Sequence, residues 1–316
     1  MRWIIHIRHR YLMPALLLIA LSCAAAAPDN DALTVAWRNY TDSLHISGLQ
    51  AGCRPRHYRP PPGMVARGTV LLIHGFGACP QQYFQLGPAT AAAGYEVLVP
   101  LLPGHGHLPD ANGKEDLSTL PAGKDWRVYG EFAARMNSIM ALASGEHVIV
   151  GYSLGGGVAL NAILREPQLY DRALLAAPLL AIRGGRAIEH IVKFLGDVPF
   201  LKDLRVKTPA LRRECRSWSD AGRAGFCDYR YKHAAALVHL EEQNHEWITQ
   251  TQLTMPMQLI LARGDHTISN EAIREFSRKQ IEHGPLGLCY LPEDVPHEVL
   301  TPYENIGRKM YWLGEL

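Results

Sequence analysis

Charge is scarce in this chain, and what there is nearly cancels. Only 20% of the 316 residues are Asp, Glu, Lys or Arg, and the formal charge is +2. Arg2, Arg8 and Arg10 crowd the first ten residues, and without them the remainder is slightly acidic. Such a balance offers no basic surface to a polyanion, so no nucleic-acid partner is expected. No apolar run reaches the roughly 20 residues that a membrane span needs. The nearest candidate, Tyr11 to Leu21, is short and is interrupted by Pro14. No Cys or His pairs stand at metal-ligand spacing, and there is no internal repeat. No metal and no cofactor is therefore expected. What the chain does have is 47% apolar residues, enough for a sizeable core.

The N-terminus reads as an export leader. Arg2 to Arg10 is basic, Tyr11 to Leu21 is apolar, and Ala24 to Ala27 supplies small residues for cleavage. Residues 1–27 are thus expected to be a signal peptide, placing the mature protein in the periplasm, in the cell envelope or outside the cell. Ile19-Ala20-Leu21-Ser22 before Cys23 also resembles the lipobox of bacterial lipoproteins. Simple cleavage is the first reading and lipidation at Cys23 the second. Such a lipid, or an uncleaved leader, is the only membrane attachment expected. Five further cysteines remain: Cys53, Cys79, Cys215, Cys227 and Cys289. An oxidising compartment allows disulfides. Cys215 and Cys227 are close in sequence, and Cys53 can reach Cys79 if the N-terminal segment packs beside the loop after the first core strand. Cys289 lies in an apolar run, as a buried thiol does.

From residue 28 to about Arg67 the pattern is weak, with a short helix expected within Leu33 to Leu49. The texture changes at Gly68. Val70-Leu71-Leu72-Ile73 is a continuous apolar run, as in a strand buried on both faces of a parallel sheet. Similar runs recur at Tyr95 to Val99, His147 to Val150, Ala173 to Ala176, Gln258 to Leu261 and Leu286 to Leu291. Helical stretches alternate with them at Gln85 to Ala93, Trp126 to Ala143, Gly156 to Leu164 and Asn270 to His283. This alternation predicts an α/β fold, a mostly parallel sheet flanked by helices. One interval breaks the rhythm. Between Pro178 and Leu253 no buried strand is visible, but Ile188, Ile191, Val192 and Leu195 follow helical spacing, as do Ala234, Leu237 and Val238. The reading is a helical cap, 181–253, inserted in a core made of 28–180 and 254–316.

Gly151-Tyr152-Ser153-Leu154-Gly155 joins a strand to a helix. A G-x-S-x-G turn there strains the serine backbone and lifts its hydroxyl clear of the sheet. A serine needs a base to take its proton, and the base needs an acid to orient it. Asp265 follows the Gln258 to Leu261 strand and His297 follows the Leu286 to Leu291 strand, so all three sit in loops leaving strand carboxyl ends, which converge on one crevice. Ser153 is the candidate nucleophile, Asp265 the acid and His297 the base. Glu293 and Asp294 are rival acids, and His266 is a bystander. After the strand Val70 to Ile73 comes His74-Gly75-Phe76-Gly77, where glycines let backbone amides approach a developing oxyanion. The expected donors are the Phe76 and Leu154 amides, with His74 holding the loop.

Together with Pro100-Leu101-Leu102-Pro103-Gly104-His105-Gly106 and Asp125-Trp126, these motifs resemble the α/β-hydrolase superfamily, in particular its carboxylesterase and monoacylglycerol lipase branch. The resemblance runs from about Gly68 onward. It implies the α/β-hydrolase fold and an esterase or lipase acting on a small-molecule or lipid ester through an acyl-enzyme. Peptidase, thioesterase or acyltransferase chemistry on the same triad remains open, as does a silent hydrolase fold used for binding. The resemblance also implies a structural role for Gly104-His105. The cap, with Trp218 and Trp247, is expected to favour an acyl chain or an aromatic group.

Overall fold

The structure, a computed structural model, describes residues 31–206, 222–295, 297 and 300. The leader with Cys23, and also Cys215 and Trp218, lie outside the described residues. Six strands run parallel: β2 (Gly68–Ile73), β3 (Glu96–Val99), β4 (Glu146–Tyr152), β5 (Arg172–Ala176), β6 (Met257–Ala262) and β7 (Leu286–Leu291). They match the six apolar runs read from the sequence. A short strand, β1 (Arg56–Tyr58), adds an antiparallel edge beside β3, giving the order β1-β3-β2-β4-β5-β6-β7. Every residue of β2 is buried, because helices cover both faces of the sheet there.

Helix α1 (Ala32–Asp42) opens on Asp31, whose carboxylate accepts the Thr34 amide at 2.6 Å and satisfies a donor that the first turn leaves free. Its Trp37 and Tyr40 join the core, and the Tyr40 hydroxyl both donates to and accepts from the Leu101 backbone, at 2.9 and 3.0 Å. A Cys53–Cys79 disulfide fixes the segment after α1 to the loop after β2. The N-terminal extension is therefore part of the body. Cys227 is also disulfide-bonded, and Cys289 is a free, half-buried thiol.

Helices α2 (Leu86–Ala92), α3 (Arg127–Met140), α4 (Leu154–Arg165) and α7 (Asn270–Ile281) flank the sheet. Helix α4 is buried from Leu154 to Leu164 and carries small and apolar residues on every side, since α3, the sheet and α6 (Tyr231–Ile248) all press on it. Polar side chains lock α6 to α4. Asn244 donates to the Gly157 carbonyl at 2.8 Å and accepts from Asn161 at 2.8 Å, and Arg165 donates to Asn161 at 2.8 Å. Arg165 also covers the Trp247 ring, which packs against the main core. Helix α5 (Gly185–Asp197) lies on α6.

The orientation of α5 is unexpected. Of its periodic apolar face, Ile188 and Ile191 point outward, 41% and 53% exposed, and Val192 and Leu195 are half-buried, while Phe194 beside them is 64% exposed. Glu189 is turned inward instead, beside Glu241 of α6. Periodicity located the helix without telling which face meets the core. Among the described residues no helix is long and apolar enough to cross a membrane.

Candidate active site

Ser153 stands between β4 and α4, at the carboxyl edge of the sheet. Its φ of 53° and ψ of −120° lie in a region that non-glycine residues avoid, at a cost of about 1–3 kcal/mol. The surroundings enforce it. The Ser153 amide donates to the Ala176 carbonyl at 3.0 Å, while its own carbonyl accepts from Gly157 and Leu179 at 3.1 and 2.9 Å. Strand and helix pass so close that a Cβ at Gly155 would collide with the Ile73 carbonyl. That approach is why the turn needs glycine there.

The structure brings the three sequence-predicted side chains into one line. His297 Nε2 lies 2.9 Å from Ser153 Oγ, and His297 Nδ1 lies 2.6 Å from Asp265 Oδ2. A carboxylate only accepts, so Nδ1 carries the proton and Nε2 turns its lone pair to the serine hydroxyl. Asp265 is held by its other oxygen, which accepts the Thr267 and Ile268 amides at 2.7 and 3.1 Å. All three residues are buried. The Tyr152 hydroxyl donates to the His297 carbonyl at 2.5 Å, and the two rings lie 5.3 Å apart. Tyr152, read only as a spacer in the turn, thus steadies the histidine. Glu293 and Asp294 are exposed, and His266 engages Arg183.

The loop after β2 rests on this turn. A Cβ at Gly75 would sit 3.0 Å from the Tyr152 ring and 3.4 Å from Ser153 Cβ. Gln82 accepts the Gly75 amide at 2.8 Å. His74 donates from Nδ1 to the Gly75 carbonyl at 2.9 Å and accepts the Leu102 amide at Nε2 at 3.0 Å, tying the β2 and β3 loops together. Burial drives its pKa well below the ordinary imidazole value, so it stays neutral, with both nitrogens engaged. Among the described residues neither the Phe76 nor the Leu154 amide donates to a protein acceptor. Leu154, first in its helix, has no intrahelical acceptor to give to.

Sequence reasoning missed the cage around Phe76. Its ring meets His105, Phe226 and Tyr229 edge-on, at centroid distances of 5.7, 5.1 and 5.2 Å. The Phe226 amide donates to the Gly77 carbonyl at 2.9 Å, and Gln50 exchanges two hydrogen bonds with Gly225. The segment before α6 and the N-terminal extension therefore meet on the β2 loop, near the Cys53–Cys79 disulfide. The signal was faint, two aromatics in a glycine- and arginine-rich stretch. Trp247, expected to favour an acyl or aromatic group, packs on the core instead. Among the described residues no cluster of three or more His, Cys, Asp or Glu could hold a metal.

A model of the alpha/beta hydrolase family matches residues 70–300. The chain is similar to a pimeloyl-[acyl-carrier protein] methyl ester esterase of Aromatoleum aromaticum, with 35% identity over 34% of this chain and 36% of that protein. It is also similar to a monoacylglycerol lipase of Mycolicibacterium smegmatis, with 26% identity over 43% of this chain and 48% of that one. The chain thus spans less than half the length of these curated relatives in the matched stretches. The solved structure of a Paleococcus ferrophilus monoacylglycerol lipase superposes with a TM-score of 0.56 and 18% identity, covering 78% of this chain and 90% of that one. At that identity the likeness concerns the fold.

Proposed function

The chain belongs to the alpha/beta hydrolase family, and from that premise we propose that it cleaves carboxylic esters by a serine mechanism. The observation that carries the reading is the hydrogen-bonded line from Ser153 through His297 to Asp265. Ser153 Oγ attacks the acyl carbon while His297 Nε2 takes its proton, and Asp265 stabilises the charged ring. The carbonyl oxygen becomes negative within reach of the Phe76 and Leu154 amides, which stabilise it. Collapse releases the alcohol, which takes the proton from His297 and leaves an acyl-enzyme. Water then enters by the same route and frees the acid. These steps use side chains, backbone amides and water only. The esterase and lipase names of the two relatives support ester over other acyl substrates.

The cage of Phe76, Phe226 and Tyr229 supports an apolar or aromatic group beside the reacting carbonyl. Residues 1–27 are proposed as the export leader, and the Cys53–Cys79 disulfide supports an oxidising compartment. Mass analysis of the mature N-terminus distinguishes cleavage after Ala27 from lipidation at Cys23. The function is tested by turnover of matched ester, thioester and amide substrates of one acyl group. Ester turnover that exceeds the other two is expected. Amide or thioester turnover exceeding it would redirect the reading to a peptidase or thioesterase.

A further inference from the structure

Residues 222–229, just before α6, form neither helix nor strand, so no ladder of their own satisfies their backbone groups. Every amide from Ala224 to Asp228 is nevertheless accepted, and each acceptor lies elsewhere in the chain. Ala224 donates to Gln81 Oε1 at 2.7 Å, Gly225 to Gln50 Oε1 at 3.0 Å and Phe226 to the Gly77 carbonyl at 2.9 Å. Cys227 and Asp228 donate to the two oxygens of Glu115, at 2.8 and 2.7 Å. Gln50 also donates from Nε2 to the Gly225 and His107 carbonyls, both at 2.9 Å. A side-chain amide can give and accept together, so Gln50 pairs with Gly225 as a neighbouring strand would. The Gln50 backbone is itself fixed. Its amide donates to the Gly106 carbonyl and its carbonyl accepts from Cys53, each at 2.9 Å, and Cys53 is bonded to Cys79.

This strap bears on the Phe76 loop. Phe76 stands between Gly75 and Gly77, and Gly77 takes a φ of 72°, so the residues beside it give the loop little stiffness of their own. The Gly75 amide is held by Gln82 and the Gly77 carbonyl by the Phe226 amide, one tether on each side. The approach is close, since a Cβ at Gly225 would collide with the Gly77 carbonyl. The Phe226 and Tyr229 rings then meet the Phe76 ring edge-on. Misplacing a catalytic donor by about 1 Å can cost about a hundredfold in rate. The Phe76 amide is therefore only as well aimed as the strap is held.

We propose that Gln50 and Glu115 are positioning residues for ester hydrolysis, holding Ala224 to Asp228 as a strap that seats Phe226 on Phe76 and aims the Phe76 amide at the oxyanion. The inference rests on the ester-hydrolase reading above. An oxyanion donor favours the tetrahedral state over the bound ester, so losing its aim lowers kcat and leaves KM nearly unchanged. The test compares the wild-type protein with Gln50→Ala, Glu115→Ala and Glu115→Gln. For each, kcat per active site, titrated with a fluorophosphonate, and KM are measured with p-nitrophenyl butyrate. Ki is measured with a trifluoromethyl ketone, which forms a tetrahedral adduct on the serine. Both alanine variants are expected to lose about tenfold to a hundredfold in kcat, with KM within about twofold and Ki raised in proportion to the fall in kcat/KM. Glu115→Gln should fall between wild type and Glu115→Ala, because its amide oxygen accepts from one of the two N–H groups and its nitrogen cannot accept from the other. Ki does not depend on how much of a variant folds, and Glu115→Gln keeps the test decisive if an alanine variant does not fold. Unchanged kcat and Ki in the variants that fold, or a KM that rises while kcat and Ki hold, would overturn the inference. A wild-type protein that neither turns over the ester nor binds the ketone would bring down the ester reading itself, and this inference with it.

Discussion

The turn at Ser153 and the α5–α6 pair are built on opposite plans. The Ser153 amide and carbonyl are both paired, α4 is buried from Leu154 to Leu164, and Gly155 is pressed against the Ile73 carbonyl. On α5, Ile188, Ile191 and Phe194 face outward, while Glu189 is buried against Glu241 of α6. The first region is held by packing that tolerates one arrangement. The second keeps carboxyl groups buried and apolar groups exposed, an arrangement that costs stability.

The contrast is tested most severely at the nucleophile. Ser153→Ala should lower ester turnover by about 10⁶ while leaving the thermal unfolding midpoint near that of wild type, since the hydroxyl serves chemistry and not packing. Asp265→Asn should lower kcat by roughly 10⁴, because the amide no longer holds His297 in the proton-accepting tautomer. Leu160→Ala, at a fully buried position of α4, should cost about 2–5 kcal/mol in denaturant unfolding.

The buried carboxyl pair predicts a smaller, pH-dependent effect. Burial, with the Glu189 carboxyl beside it, pushes the Glu241 pKa up to about 9, and Glu242 raises it further while Arg186 opposes the shift. The folded-state value is raised, so the stability contributed by the protonated form is full below the ordinary carboxyl pKa. It drains as pH rises towards 9, because the unfolded chain ionises first. Glu241→Gln should remove this drain. Its melting temperature relative to wild type should climb from pH 5 to pH 9, and a difference independent of pH would show that the pair is not protonated. Smallest of all, Phe194→Ala on the exposed face of α5 should change stability by only about 0.5 kcal/mol or less, against the loss at Leu160.

Much of this plan was legible in the sequence. The strands announce themselves as apolar runs, and Ser153, Asp265 and His297 follow such runs, the last after the half-buried edge strand β7, so topology alone brought them together. The antiparallel β1 was hidden, since Arg56–Tyr58 is three residues long and lies at an edge with no apolar run to mark it. The orientation of α5 was hidden too, because spacing defines a face but not what the face meets. Contacts between distant segments, such as Tyr152 with His297 or Gln50 with Gly225, leave no local pattern at all. The Cys53–Cys79 pair was legible only as a condition on packing, which the structure meets.

The most direct test of the central claim is reaction of the purified mature protein with a fluorophosphonate, followed by peptide mass mapping. The account predicts one stoichiometric adduct on Ser153, formed faster as pH rises through a histidine-like pKa and absent from Ser153→Ala. A folded wild-type protein that takes no label, or an adduct that persists at another residue in Ser153→Ala with ester turnover intact, would contradict it.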